Sequence, residues 1–475
     1  MLMLPFFLCV RTDAKFPVLL AASAECEVSI VPANLPSLDK STAIRYNFIS
    51  YRTIGNLFYP RVFEKYMAEP ISTRDKIIDA AFSFYRKPVF THISLSQIAQ
   101  KVGISKAAIF KHFPRKESIR QAMNARMFDG IAEVVRRMLE CYQNGKRIEA
   151  MSEAVDFLVN HREYVMYFQS QQCIVDEGAF VRELRKRSIR VFDSLFARDG
   201  SIKDTDLYVT SIYVGTTIFI FTLIRFDALD TNTPNIADSA DFADKLAALI
   251  ENGIGKNIPE RKRLAQLDAR FKSAMQKKAP LTDELLALAS VVSEYGAAGI
   301  TIERLAKKLR LAKSSLYSRY KSKNEMVESL IKNEVIRMHG MIAENMDGLT
   351  TDEECTYAVL RTELLYFIKY PETVDICSSL IGINDFVDRA EAPDFVDTIY
   401  DSVYWKRFIA SLPDVGIPPT SQRVLGWFFA IVVTMFIHCR RLGFSDKRMF
   451  AALKRLYAMT ESGIGNTTVH KRGGS

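Results

Sequence analysis

The chain has 475 residues, 48% of them apolar and 25% charged, with 64 Lys/Arg against 55 Asp/Glu for a net charge of +9. That length calls for more than one domain, and that apolar share is enough to build several cores. Seven scattered cysteines (Cys9, Cys26, Cys141, Cys173, Cys355, Cys377, Cys439), with no CxxC pair and no histidine at ligand spacing, exclude a metal framework and read as reduced thiols of a cytoplasmic protein.

Residues 1–66 match nothing in the second half of the chain. Met1–Val10 is apolar without a basic leader, and Phe16–Ala24 offers only a short apolar core before an Ala-Ser-Ala site, so a signal peptide is the weaker alternative. The expectation is a poorly ordered extension of unknown role, or a start assigned upstream of Met67, where MAEPISTRDKII reads as a beginning.

A first helix follows, with Ser72 and Asp75 spaced as a capping pair. Ser94 is placed to cap a short helix carrying Leu95, Ile98, Ala99 and Val102 on one face, and Gly103 can take the left-handed conformation that ends it. Ile104 plugs the turn, and Ser105 caps a second helix with Ile109 and Phe113 turned inward. Two short helices across such a turn make the unit that lays its second helix in a major groove. The face left over is Lys106, Ala107, Ala108, Lys111 and His112. Small residues allow close approach to base edges, and the lysines reach guanine acceptors or phosphates. Lys116, opening the next helix, is placed to hold a phosphate.

The run Val102-Gly-Ile-Ser-Lys-Ala-Ala-Ile-Phe-Lys-His-Phe-Pro-Arg-Lys-Glu117 resembles the recognition segment of the TetR family of bacterial transcriptional regulators, and Arg74–Tyr85 resembles that family's first helix. Two positions depart from the pattern. Phe110 stands where the family carries a tyrosine whose hydroxyl meets a phosphate, and Val89 replaces a glycine before the second helix. The resemblance implies an all-α fold, a helical body that binds a small molecule and pairs with another body, and a ligand-responsive repressor without cofactor.

From Lys116 toward Cys141, Ile119, Met123, Met127, Ile131, Val134 and Met138 share a face, a helix long enough to join a head to a body. The basic stretch 256–279 reads as a linker, helical after Pro259, with Leu264, Leu267 and Phe271 as its apolar stripe. The expectation there is a solvated spacer, the alternative a segment lying along phosphates.

The head pattern then returns. Thr301–Leu330 repeats Ser94–Met123 at an offset of 207 positions without a gap, although only Ala99/Ala306, Lys101/Lys308, Lys106/Lys313 and Lys116/Lys323 are identical. This copy is degenerate, because Arg310 replaces the turn glycine and Ala312 the capping serine. Tyr317 restores the aromatic hydroxyl, and Ser314, Ser315, Ser318, Arg319 and Lys323 can donate to DNA. Each copy carries a net +5, so charge is concentrated where phosphate would lie. The bland alternative is a solvated lysine-rich face.

The repeat covers the bodies as well. Phe157–Glu163 lines up with Phe367–Glu372, and both halves close on a Gly-Ile-Gly, at 253–255 and 463–465. Each is preceded by an uncharged run, Leu207–Ile224 and Val424–Cys439, near or below the ~20 residues of a spanning helix. By resemblance these are the buried helices of a four-helix interface, and membrane helices are the alternative.

The expected architecture is therefore all-α and tandem. It comprises a head at 67–120, a body at 121–255, the linker at 256–279, a degenerate head at 280–327, a body at 328–465 and a tail at 466–475. The expected DNA-contacting residues are Ser94, Ser105, Lys106, Ala107, Ala108, Phe110, Lys111, His112 and Lys116 in the first head. In the second they are Thr301, Lys313, Ser314, Ser315, Tyr317, Ser318, Arg319 and Lys323. No catalytic or metal residues emerge, since Walker, GxGxxG, GxSxG and HExxH patterns are missing. Partners are expected to be double-stranded DNA, a small apolar effector bound at residues that cannot be named, and either the chain's own other half as a pseudo-dimer or a second copy. An adaptor protein that binds DNA through the first head alone is the competing reading. Aromatics such as Phe157, Tyr164, Tyr167, Phe168, Phe180, Tyr213, Phe219, Tyr366, Phe367, Tyr370, Trp405, Phe408, Trp427 and Phe428 either line effector pockets or fill plain core.

Overall fold

The computed structural model describes residues 72–86, 93–170, 177–190, 203–255, 257–296, 299–374, 376 and 403–467. The extension 1–66, Val89, Cys9, Cys26, Cys173, Cys377 and most of the 466–475 tail lie outside the described residues. Among those described there are eighteen α-helices and no strand.

In the first half these helices are α1 (Thr73–Ser83), α2 (Leu95–Val102), α3 (Lys106–His112), α4 (Lys116–Gln143), α5 (Arg147–Asn160), α6 (Arg162–Ser170), α7 (Glu177–Arg185), α8 (Thr205–Asp230) and α9 (Ser239–Asn252). The connector helix is α10 (Arg261–Gln276). The second half has α11 (Asp283–Tyr295), α12 (Ile302–Leu309), α13 (Lys313–Tyr317), α14 (Lys323–Met346), α15 (Asp352–Lys369), α16 (Val403–Ala410), α17 (Ser421–Arg441) and α18 (Asp446–Thr467). Two compact units result. Residues 72–81 and 94–119 make the first head, and the described chain from Arg120 onward belongs to the other unit.

Within the larger unit, the two uncharged runs lie in α8 and α17, the helices with the length and hydropathy to cross a membrane. Both are instead largely buried in protein, against each other and against α9 and α18, as a four-helix bundle. Hydroxyls in α8 would be costly in such a core if left unpaired. Four of them turn back on their own helix instead. Thr210, Ser211, Thr216 and Thr222 each donate to the carbonyl four residues earlier, at 2.7–2.9 Å. Contacts between the halves are specific. Tyr208 and His438 share a buried hydrogen bond of 2.9 Å, and the Trp427 indole donates to Thr217 at 3.0 Å.

The repeated Gly-Ile-Gly forms the centre of this seam. Gly253 and Gly463 adopt matching backbone angles, φ 70°, ψ −163° and φ 68°, ψ 174°, which side-chain-bearing residues rarely adopt. Each glycine lies against the other strand of backbone so closely that a Cβ on Gly253 would overlap the Gly463 amide, and one on Gly463 would overlap the Glu251 carbonyl. Ile254 and Gly255 then donate their amides to Thr460 and Glu461 at 2.9 and 3.0 Å. The two halves thus pair inside one chain as a pseudo-dimer.

The connector departs from expectation. α10 starts after Pro259 and carries the apolar stripe, but the stripe is covered, not solvated: Leu264, Leu267, Phe271 and Met275 are all buried. α10 packs on α15 and α14 of the second body. Arg263 pairs with Glu354 at 2.5 Å, and Asp268 accepts from Tyr357 and Arg361 at 2.7 and 2.6 Å. The Lys369 ammonium caps its end, donating to the Met275 and Lys278 carbonyls at 2.6 and 2.7 Å. Burial of its apolar stripe makes it part of a domain.

The aromatics named as candidate pocket linings lie in the interior. All are buried except the half-buried Tyr164. Trp427 also borders a hollow of about 30 Å³ in the seam, with Phe221, Leu249 and Ile254. That is room for a water or two, not for an effector.

One buried charge has a measurable consequence. Glu363 on α15 is 1% exposed, its Oε2 has no hydrogen-bond partner among the described residues, and burial pushes its carboxyl well above the usual carboxylate range. A raised folded-state pKa gives stability that is complete below the unfolded value and lost as pH rises through the folded one. Glu363→Gln is therefore expected to flatten the loss of stability as pH rises above the usual carboxylate range in urea titrations. An equal slope in both proteins would contradict this.

Candidate nucleic-acid interface

The first head is held by its own caps and core. The Ser72 hydroxyl accepts from the Asp75 amide at 3.1 Å and donates to its carboxylate at 2.7 Å. Ser94 closes a full capping box with Gln97, and Gly103 ends α2 at φ 79°. The Ser105 hydroxyl accepts from Ala108 at 3.1 Å to start α3. Ile98, Ala99, Ile109 and Phe113 are buried. The Arg74 guanidinium lies 4.3 Å over the Phe113 ring and donates to the His112 carbonyl at 3.2 Å, fixing the end of α3 against α1.

What this scaffold exposes is the expected face. Lys106, Ala107, Phe110, Lys111, His112 and Lys116 are all exposed, and Ala108 is half-buried. The ammonium groups of Lys106, Lys111 and Lys116 make no ion pair among the described residues, so they are available to an anion. Ser94 is the exception. Its hydroxyl accepts from the Gln97 amide and donates to the Gln97 side chain at 2.8 Å, so its hydrogen is already used inside the head.

The second head has the same frame with weaker ends. Thr301 caps α12 by accepting from the Arg304 amide at 3.2 Å. Arg310 then takes the left-handed conformation that Gly103 takes in the first copy, at φ 56°, and Ala312 provides no side-chain cap. The recognition helix α13 is five residues long against seven in α3. Three cations of this head are already engaged: Lys313 with Glu303 at 2.7 Å, Arg319 with Glu284 at 2.9 Å and Lys308 with Glu294 at 2.8 Å. The Ser318 hydroxyl donates to the Ser315 carbonyl at 2.9 Å. Ser314, Tyr317 and Lys323 are exposed, Ser315 half-buried. Exposed pairs of this kind contribute little to stability, so phosphate can displace the acids at small cost.

Two of those acids fall outside the thirty-residue repeat, which is why an equal +5 in each copy is misleading. Counting each head with its first helix, residues 72–123 carry ten Lys/Arg against three acids, a net +7, while 279–330 carry eight against six, a net +2. The asymmetry is therefore readable in the sequence, but only over the whole three-helix domain.

The strained turn gives a direct test. Arg310→Gly relieves a left-handed residue and Ala312→Ser restores a cap, each worth about 1 kcal/mol. Both are expected to slow amide exchange in α12 and α13. Unchanged exchange in the pair of variants would show that the turn is not the weak point.

Two three-helix heads with buried apolar cores and exposed recognition helices define the helix-turn-helix class of DNA-binding regulators. The sequence model described as "Bacterial regulatory proteins, tetR family" matches twice, at residues 77–123 and 285–330. The chain thus carries the head domain of that family twice in tandem. It is also similar to the Bacillus subtilis (strain 168) protein named "Uncharacterized HTH-type transcriptional regulator YxbF", with 21% identity over 296 residues, covering 59% of this chain and 70% of that protein.

Proposed function

We propose that this protein is a cytoplasmic, sequence-specific DNA-binding transcription regulator whose first head supplies most of the affinity and whose second head reads an adjoining half-site with weaker contacts. The observation that carries this is the exposed face of α3, with Lys106, Lys111 and nearby Lys116 making no ion pair among the described residues. Because the heads differ at Lys106/Lys313, Ala107/Ser314, Ala108/Ser315 and Lys111/Ser318, the expected operator has unlike half-sites. Selection of bound fragments from host DNA, followed by footprinting, tests it. An asymmetric protected site supports the reading, and failure to retain any duplex at low salt ends it.

The acids paired with Lys313, Arg319 and Lys308 favour a second reading, an adaptor in which only the first head meets DNA. Salt dependence separates the two. If the second head contacts phosphate, Lys313→Ala with Lys323→Ala lowers the slope of log K against log salt by about one unit per lost contact. An unchanged slope assigns that head to another partner. A small apolar effector that used the seam hollow, about 30 Å³, would have to widen it on binding.

A further inference from the structure

Phe110 is the largest apolar side chain on the exposed face of α3, 44% exposed, and it makes no ring contact among the described residues. It follows Ala107 by three positions, so the two lie side by side on one face of the helix, with Lys106 before them and Lys111 after. Neither can serve a phosphate, because neither side chain carries a hydrogen-bonding group. The helix beneath is not free to turn Phe110 inward. Ile109 and Phe113 are buried, the Ser105 cap fixes one end and the Arg74 contact with His112 the other. The surrounding head carries a net +7, complementary to a duplex backbone. In a major groove, the apolar group that a base edge presents is the thymine C5-methyl.

We infer that Ala107 and Phe110 form an apolar reader for thymine methyl groups, making the first head selective for a thymine-bearing half-site. This rests on the DNA-binding reading above and adds to it the base that is recognised and the atoms that recognise it. The aligned pair in the second head is Ser314 and Tyr317, both exposed and both carrying hydroxyls. That head therefore lacks the methyl reader, and the preference belongs to one half of the operator.

The test uses the full chain and the duplex fragment it binds best. Each thymidine in the footprint is replaced in turn by deoxyuridine, which removes the C5-methyl and leaves every hydrogen-bonding group in place. Wild type is expected to lose about fourfold in affinity at one or two positions in one half-site, the effect of one buried methyl. In Phe110→Ala those penalties disappear, while penalties elsewhere persist. Phe110→Leu keeps an apolar side chain without a hydroxyl and is expected to keep them. The inference is overturned if no deoxyuridine lowers affinity in wild type, or if the penalties survive unchanged in Phe110→Ala. A chain that binds no fragment refutes DNA binding itself, a different result from binding that ignores the methyl. Phe110 is exposed, so unchanged thermal unfolding of the variants checks that only the contact is altered.

Discussion

Gly253→Val is expected to destabilise the larger unit by roughly 3–5 kcal/mol, more than most core truncations in a protein of this size. Two costs combine. A β-branched residue at φ 70°, ψ −163° is strained by itself, on the order of 1–3 kcal/mol. Its Cβ would also occupy the space of the Gly463 amide, and backbone cannot swing aside as a side-chain tip can. Relief requires parting the halves, which breaks the amide bonds from Ile254 and Gly255 to Thr460 and Glu461. Urea unfolding reads the effect. Gly340→Ala in α14 serves as the counterpart, since nothing lies within 4 Å of its Cβ position. There, helix propensity predicts a gain of about 0.5–1 kcal/mol. If Gly253→Val were no more harmful than an ordinary surface change, the seam would not hold the halves together.

Lys106→Ala with Lys111→Ala should have the largest effect on DNA binding. Both ammonium groups lie on the exposed face of α3 without an ion pair among the described residues. Removing two charged contacts is expected to weaken operator binding by about 2–4 kcal/mol, roughly 30- to 1,000-fold, and to flatten the salt dependence. Lys272→Ala with Lys277→Ala, on the buried-stripe connector, is expected to change affinity little. Gel-shift titrations at several salt concentrations report both. Equal losses from the two pairs would return the connector to the DNA-binding surface and remove the special status of α3.

The heads were legible in the sequence because caps act locally. Ser94 with Gln97, Gly103 and Ser105 each decide a helix end within four residues, and the structure has all of them in those roles. The buried face of α4 was legible for the same reason, as periodicity needs no knowledge of a partner, whereas α8, buried nearly all round, was assigned to an interface by resemblance alone. What escaped depends on residues distant in the chain. Leu264, Leu267 and Phe271 announce a stripe, but its cover, α15, begins some ninety residues later, with Glu354 91 positions from Arg263. Glu284 and Glu294 reach Arg319 and Lys308 only once α11 is folded against the rest of the second head. The repeated Gly-Ile-Gly showed that the halves are related, yet not that the two motifs touch, since an internal pair and a pair between copies have the same sequence.

Because the seam joins Gly253 to Gly463 within one polypeptide, association of the two halves does not depend on how many molecules a cell contains. A regulator assembled from separate subunits loses its paired form on dilution, and its occupancy of an operator falls as the square of copy number when scarce. Here occupancy should follow copy number in simple proportion, down to a single molecule.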